Sequence, residues 1–345
     1  MKNFLYFLTV KECESHLKQE IALRYPELRY AYSRAGFLTY KIAADHEIDN
    51  LEVIFAYSYG KSLGKSSKMN FFSTLESILK EEKGEVLLNT YVDIDFHLNL
   101  CEYLKAHPKI ISEGNKASAQ SVVLNIIKVD EDEYFFGSHL YGKNRTIIND
   151  YAYAAVAEGE NTTIPSRAYH KIREALLLTK EEIKSGDYIL DVGSAPGGIS
   201  YYFLERDAFV VGIDSAEMSK QCLMHKRFKH IALPIEKVRA PEFGNHPFKI
   251  MVVDINLDPL FVLHEIRRLF TSVKSCSEIR SLYFTVKLTQ KFSMDKLPRI
   301  IKELESLGFV RFLKKQLQSN RNEFLLYATK GQRKIVSKRT WSIKG

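Results

Sequence analysis

An α/β fold is predicted, with a mostly parallel sheet in the second half of the chain and an α+β region before it. Three observations predict it. After residue 167, near-continuous apolar strands alternate with helical stretches: "YILDVG", "FVVGID", "HIALP", "IMVVDIN" and "LYFTVKL". Strands that are apolar on both faces belong in a parallel sheet covered by helices. The final stretch, "GFVRFLKKQLQSNRNEFLLYATK", reads as two strands around a polar loop, so a hairpin brings an antiparallel strand into that sheet. The length of 345 residues exceeds what one core normally supports, so a further unit is expected in front.

The first half is less regular. "FLYFLTV" is a predicted strand, and "KECESHLKQEIALRY" has helical spacing at Cys13, Leu17, Ile21 and Leu23. "GFLTYKIA" and "LEVIFAYSYGKSLG" follow as strands, which completes an α+β unit over 1–75. A second unit, 76–155, reads as a strand ("GEVLLNTYVDID"), a helix ("FHLNLCEYLKAH") and two strands around the turn "DEDE". The small, polar stretch "AEGENTTIPSR", residues 157–167, marks the boundary to a third unit placed at 156–331. Residues 332–345 make a basic tail.

Composition narrows the function classes. No apolar run reaches the roughly 18 residues of a membrane span, so no membrane partner is expected. The start, "MKNFLYFLTVKECESH", lacks a small-residue cleavage site and reads as a strand, not a leader. Cys13, Cys101, Cys222 and Cys276 form no Cys-x-x-Cys pair. Buried free thiols in a reducing cytoplasm are therefore expected, and no metal site. The net charge of +8 favours a polyanionic partner, nucleic acid first.

The stretch "ILDVGSAPGGIS" carries the functional signal. A strand ends at Asp191 and Val192; Gly193, Ser194, Ala195, Pro196, Gly197 and Gly198 follow. Gly193 allows a sharp turn, and Gly197 and Gly198 allow the next helix to approach a ligand closely. The spacing is neither Gly-x-Gly-x-x-Gly nor a phosphate loop. About twenty residues on, the next strand ends at Asp214, where a carboxylate can accept both hydroxyls of a ribose. The residues alone leave a nucleoside site and a tight turn with a capping aspartate both open.

"LDVGSAPGGIS" followed by "VVGID" resembles the S-adenosylmethionine motif of class I methyltransferases, and "APGG" resembles the FtsJ-type RNA ribose 2′-O-methyltransferases. The resemblance implies a Rossmann-like domain with a seven-stranded, mostly parallel sheet and an antiparallel last strand. It implies S-adenosyl-L-methionine as cofactor, held by Asp191, the 193–198 loop, Asp214 and Asp254. An acidic residue after the third strand often contacts adenine in this family. Here that region reads "HIALPIEKV", with Pro234 near the expected point and Glu236 two residues on, so Glu236 is the candidate.

FtsJ-type enzymes use a Lys-Asp-Lys-Glu tetrad, and matching residues occur in order. "SRAYHKIREAL" supplies Lys171, "FKIMVVDIN" Asp254, "LYFTVKL" Lys287 and "NRNEFLLYA" Glu323. A ribose 2′-hydroxyl is a poor acid, and an ordinary lysine, titrating near 10.4, is protonated at neutral pH. Burial and a neighbouring cation would lower it and free a neutral amine. The resemblance makes Lys287 the base and Lys171 the neighbouring charge that orients the hydroxyl. Asp254 and Glu323 would position both lysines.

The N-terminal half is similar to that of FtsJ-type enzymes acting on a cytidine ribose of large-subunit ribosomal RNA. These carry a ferredoxin-like unit and a THUMP-type RNA-binding domain, which would correspond to 1–75 and 76–155. The expected partner is therefore RNA, large-subunit rRNA in particular. "YSYGKSLGKSSK" mixes lysines and aromatics as RNA-binding surfaces do. So does the end, "KGQRKIVSKRTWSIKG", with six basic residues and the only tryptophan, Trp341. The rival readings are an RNA-binding protein with a cofactor-binding but inactive methyltransferase domain, and a methyltransferase acting on a non-RNA substrate.

Overall fold

The structure, a computed structural model, describes residues 3–42, 51–104, 107–111, 121–142, 164–289 and 292–330. The tail at 332–345 and most of the 157–167 boundary lie outside the described residues.

The N-terminal region is built on one eight-stranded sheet. Its strands are β1 (Phe4–Leu8), β2 (Arg29–Arg34), β3 (Phe37–Lys41), β4 (Ser58–Ser66), β5 (Val86–Tyr91), β6 (Ile110–Ile111), β7 (Val122–Asp130) and β8 (Glu133–Leu140). The order across the sheet is β2-β3-β1-β4-β8-β7-β5-β6. Among the described residues, three helices accompany it: α1 (Glu14–Arg24), α2 (Phe71–Glu81) and α3 (Ile94–Leu104). β4 pairs β1 on one side and β8 on the other, so the stretches 1–75 and 76–155 share a single sheet. Residue 75, the end of the first expected unit, lies inside α2.

Local patterning explains these elements. Along β1, Leu5 and Phe7 enter the cluster shared with α1, while Tyr6 and Leu8 enter a separate cluster on the other face. Leu17 and Ile21 of α1 are buried as their spacing predicts, but Leu23, also expected on that stripe, is 84% exposed. It stands two residues past Ile21, about 200° round the helix. Most of "YSYGKSLGKSSK" is the inner strand β4 and not a loop: Ser58, Tyr59 and Gly60 are buried, while Lys61 and Lys65 are exposed.

The C-terminal region has a seven-stranded sheet made of β9 (Tyr188–Val192), β10 (Phe209–Ile213), β11 (Phe228–Ile231), β12 (Ile250–Val253), β13 (Ser281–Lys287), β14 (Arg311–Lys315) and β15 (Glu323–Thr329). Its order is β11-β10-β9-β12-β13-β15-β14. β15 runs antiparallel to both neighbours, and the pairings among β9–β13 are parallel. This is the Rossmann-like class I methyltransferase arrangement, with the closing hairpin inserted as the sequence predicts. Around it lie α4 (Ala168–Thr179), α5 (Gly198–Leu204), α6 (Pro259–Ser272) and α7 (Leu297–Ser306). Strand order reverses between β9 and β12, and the crevice beyond their carboxyl ends is where such sheets bind ligands. Among the described residues, no helix is long and apolar enough to cross a membrane. Cys13, Cys222 and Cys276 are buried and free.

The two sheets are joined through the turn that precedes Glu323. The buried Gln316 donates its backbone N–H to Ile54 O at 2.7 Å. Its Oε1 accepts from Thr9 Oγ1 at 2.9 Å and Val10 N at 3.0 Å. Cys13 Sγ lies 3.6 Å from Arg321 O, and Phe55 packs edge-on against Phe324 at 5.9 Å. On the N-terminal side, the buried Glu20 carboxylate accepts from Ile54 N and Phe55 N, which fixes the segment that meets Gln316. Gln316→Ala leaves the buried Thr9 hydroxyl and the half-buried Val10 N–H unanswered and is expected to cost about 2 kcal/mol, read as a lower urea midpoint. An unchanged midpoint would show that this junction adds nothing to stability.

Candidate active site

The four tetrad candidates come together as a closed ring. Lys171 Nζ lies 2.9 Å from Asp254 Oδ2 and 2.5 Å from Glu323 Oε1. Lys287 Nζ lies 2.6 Å from Asp254 Oδ1 and 2.5 Å from Glu323 Oε2. Each carboxylate thus bridges both ammonium groups, and the formal charges cancel. Register explains part of this: Lys287 and Glu323 are direct cross-strand partners at the ends of β13 and β15. Asp254 follows β12, and its N–H donates to Val192 O at 2.9 Å. Lys171 comes from the first turn of α4.

Burial and charge work against each other here. Burial alone would raise Asp254 and Glu323, but the two lysines hold both carboxyls below their usual range. Burial alone would lower Lys287, yet Asp254 and Glu323 override it and raise the amine above its usual value. That corrects the expectation of a neutral Lys287. The sequence shows the neighbouring cation, but not that two carboxylates sit closer to Lys287 than any cation does.

Two cavities meet at the ring. One, of ≈ 500 Å³, lies at the switch point. Gly193, Ala195, Asp214, Pro234, Glu236 and Asp254 are among its lining residues. The other, of ≈ 440 Å³, is lined by Lys171, Lys287 and Glu323 together with Arg167, Arg321, Asn256 and Thr289. Asn256 belongs to both. Asp214 Oδ2 accepts from Ala195 N at 3.0 Å and Oδ1 from Ala216 N at 2.9 Å, so its carboxylate is fixed at the rim with lone pairs to spare. Glu236 is exposed at the edge of the first cavity.

The glycines are used differently from the expectation. Gly193 has φ +84°, and a Cβ there would stand 2.5 Å from Asp254 O, so it lets the loop lie against the end of β12. Gly197 and Gly198 make their close approaches to protein, not to a cavity. A Cβ would meet Cys222 Sγ at 2.6 Å in the first and Ser166 Oγ at 2.3 Å in the second. Gly198 thereby brings α5 against the start of α4, the helix that carries Lys171. Ser194 is buried, with Oγ on Met218 Sδ at 3.5 Å. Pro196 contributes its carbonyl to Ser219 N.

Residues 164–322 match the FtsJ-like methyltransferase family. The chain carries an FtsJ-like methyltransferase domain. Proteins named ribosomal RNA large subunit methyltransferase M match about the same region. The protein from Laribacter hongkongensis is 28% identical over 177 residues, covering 48% of this chain and 48% of its own length. That from Xylella fastidiosa strain 9a5c is 28% identical over 177 residues, covering 49% and 48%. The chain thus spans about half the length of the curated relatives it matches. Among solved structures, TrmN from Thermus thermophilus is 12% identical, covering 94% of this chain and 99% of its own, with a TM-score of 0.36. Fibrillarin from Aeropyrum pernix is 15% identical, covering 63% and 85%, with a TM-score of 0.34.

The FtsJ-like domain fits a cationic nucleoside cofactor. The switch-point cavity has a volume in the range that small ligands occupy, about 300–1,000 Å³. Three carboxylates, Asp214, Glu236 and Asp254, line it. Asp191 sits at the end of β9, fully buried. Its Oδ2 accepts from Ser200 Oγ at 2.6 Å, and its Oδ1 has no partner among the described residues. Burial, with Asp254 and Asp214 adding to it, pushes its carboxyl up to about 7. A carboxyl raised on folding contributes stability below its unfolded value of 3.8 that is lost as pH rises through about 7. The cofactor-free protein is therefore expected to melt lower at pH 8 than at pH 6, and Asp191→Asn to flatten that difference. An equal slope in the variant would remove Asp191 as the cause.

Proposed function

We propose that this chain is an S-adenosylmethionine-dependent RNA ribose 2′-O-methyltransferase acting on large-subunit ribosomal RNA in the cytoplasm. The observation that carries this reading is the place of the tetrad between two cavities. Asp254 lines the acidic one, and Lys171, Lys287 and Glu323 line the other. The names of the relatives and the net charge of +8 support the RNA substrate.

In the first cavity, Asp214 would hold the cofactor ribose, Glu236 would face adenine, and the loop at Gly193 and Ala195 would meet the methionine end. Bound there, S-adenosylmethionine supplies an activated methyl on a sulfonium whose positive charge suits Asp254. In the second cavity, Lys287 would take the proton of the 2′-hydroxyl while Lys171 orients the same oxygen. Asp254 and Glu323 fix both amines, so alignment is set before substrate arrives. The same carboxylates keep Lys287 protonated at rest, so its proton has to leave before it acts as base. The transfer rate is therefore expected to climb with pH, about tenfold per unit between roughly pH 7 and 9. A flat profile would remove Lys287 from that role. The N-terminal sheet, tied to the turn before Glu323, would present the RNA.

The test uses S-adenosylmethionine with a labelled methyl and an unmodified transcript of large-subunit rRNA. Label is expected in the RNA, and Asp214→Ala is expected to lose both labelling and cofactor affinity. Label appearing only in protein, or in no macromolecule, would overturn the reading.

A further inference from the structure

Arg167 and Arg321 line the same cavity as Lys171, Lys287 and Glu323. Both are exposed, and neither guanidinium has an ion pair or hydrogen bond among the described residues. The two acids nearest by role, Asp254 and Glu323, are already bridged by the tetrad lysines. The ring is neutral, so among the described residues the arginines leave the cavity with two uncompensated positive charges.

The backbone that carries each arginine is set by the catalytic elements. Arg167 immediately precedes α4, four residues before Lys171. Arg321 sits two residues before Glu323, on the turn between β14 and β15. That turn is held from both sides. Glu174 of α4 accepts from Gln318 N at 2.7 Å and from Ser319 Oγ at 2.7 Å. Asn320 Oδ1 accepts from Leu317 N at 2.7 Å, and Asn322 Nδ2 donates to Leu288 O at 2.7 Å. From the N-terminal sheet, Cys13 Sγ lies 3.6 Å from Arg321 O. A neutral hydroxyl needs no pair of guanidinia beside it, whereas a ribose in a nucleic-acid chain has a phosphodiester on each side. Guanidinium forks match phosphate oxygens bidentately.

We propose that Arg167 and Arg321 are substrate-positioning residues that hold the phosphodiesters flanking the target ribose, an inference that rests on the RNA reading above. Losing two phosphate contacts to single-stranded RNA should reduce the slope of log affinity against log salt by about 1.4.

The experiment compares the full chain with Arg167→Ala/Arg321→Ala and with Arg167→Lys/Arg321→Lys. The probe is the unmodified large-subunit rRNA transcript, titrated by filter binding over a range of salt. The alanine pair is expected to bind at least tenfold more weakly with the shallower slope, to show its loss in KM more than in kcat, and to keep its cofactor affinity. The lysine pair is expected to regain the slope but not the full affinity. Equal affinity and slope in the alanine pair, or a loss of cofactor affinity instead, would overturn the clamp. A wild type that binds the transcript through these arginines yet transfers no methyl would uphold the clamp and overturn the activity.

Discussion

Lys287→Ala is expected to lower methyl transfer by at least about 10³-fold while cofactor affinity stays within about twofold, the size of loss that follows removal of a positioned base. The two halves of that result come from different cavities. Lys287 lines the one beyond the tetrad and is absent from the lining of the switch-point cavity. The substitution also leaves Asp254 and Glu323 facing Lys171 alone, at side-chain exposures of 8% and 6%. Removing one partner of buried charges destabilises by about 3–5 kcal/mol, so a melting curve has to accompany the assay. Lys287→Arg separates the two effects. Its guanidinium keeps the positive charge between the carboxylates but cannot give up a proton near neutral pH. It is expected to recover most of the stability and none of the activity. Recovery of activity in the arginine variant would mean that the charge, not the proton, is what Lys287 supplies.

Gly193→Ala is expected to disrupt the fold and the cofactor site together. At φ +84°, an L side chain is strained, and the added Cβ would meet Asp254 O at 2.5 Å and its carbonyl carbon at 2.8 Å. Both contacts are backbone and cannot swing away. Strain and overpacking together are expected to cost about 2–4 kcal/mol. The loop is also pushed off the end of β12, which displaces the cavity wall and the backbone of a tetrad member in one step. Thermal melting and a cofactor titration should both fail relative to wild type. Gly84 is the control, because a Cβ there has open space. If Gly193→Ala binds cofactor as well as Gly84→Ala does, the loop is not part of the cofactor site.

The site was more legible in the sequence than the N-terminal region. Each tetrad residue stands at the end of an apolar strand or in a short helical motif, and strand ends are where a parallel sheet gathers its ligands. The antiparallel β15 was readable from its hairpin, and that strand places Glu323 opposite Lys287. What could not be read was the balance of fields on Lys287, because it depends on distances of about 2.6 Å that no spacing encodes. Arg321 stands beside Glu323 in "NRNE", but no local pattern tells an arginine without a partner from one in an ion pair. Gln316 gave no signal either, since the donors to its Oε1, Thr9 and Val10, are more than 300 residues away in the chain.

In the N-terminal region the misses have separate causes. β2, "RYAYSR", is an edge strand with no fully buried residue, so it lacks the alternation that marks a strand. β4 was read as a strand within "LEVIFAYSYGKSLG", but its two glycines and two lysines did not show that it lies inside the sheet. Gly60 and Gly137 permit that place: a Cβ on either would strike Tyr6 or a neighbouring strand backbone. α2 was recoverable, because Phe71, Leu75 and Leu79 repeat at four-residue spacing and all three are buried.

The measurement that tests the central claim most directly is the position of the transferred methyl group. RNA labelled by the wild type and by Lys287→Ala would be digested to nucleosides and separated. The account predicts label on ribose for the wild type and none for the variant, with cofactor bound equally by both. Label on a base, or ribose label that survives Lys287→Ala, would contradict it.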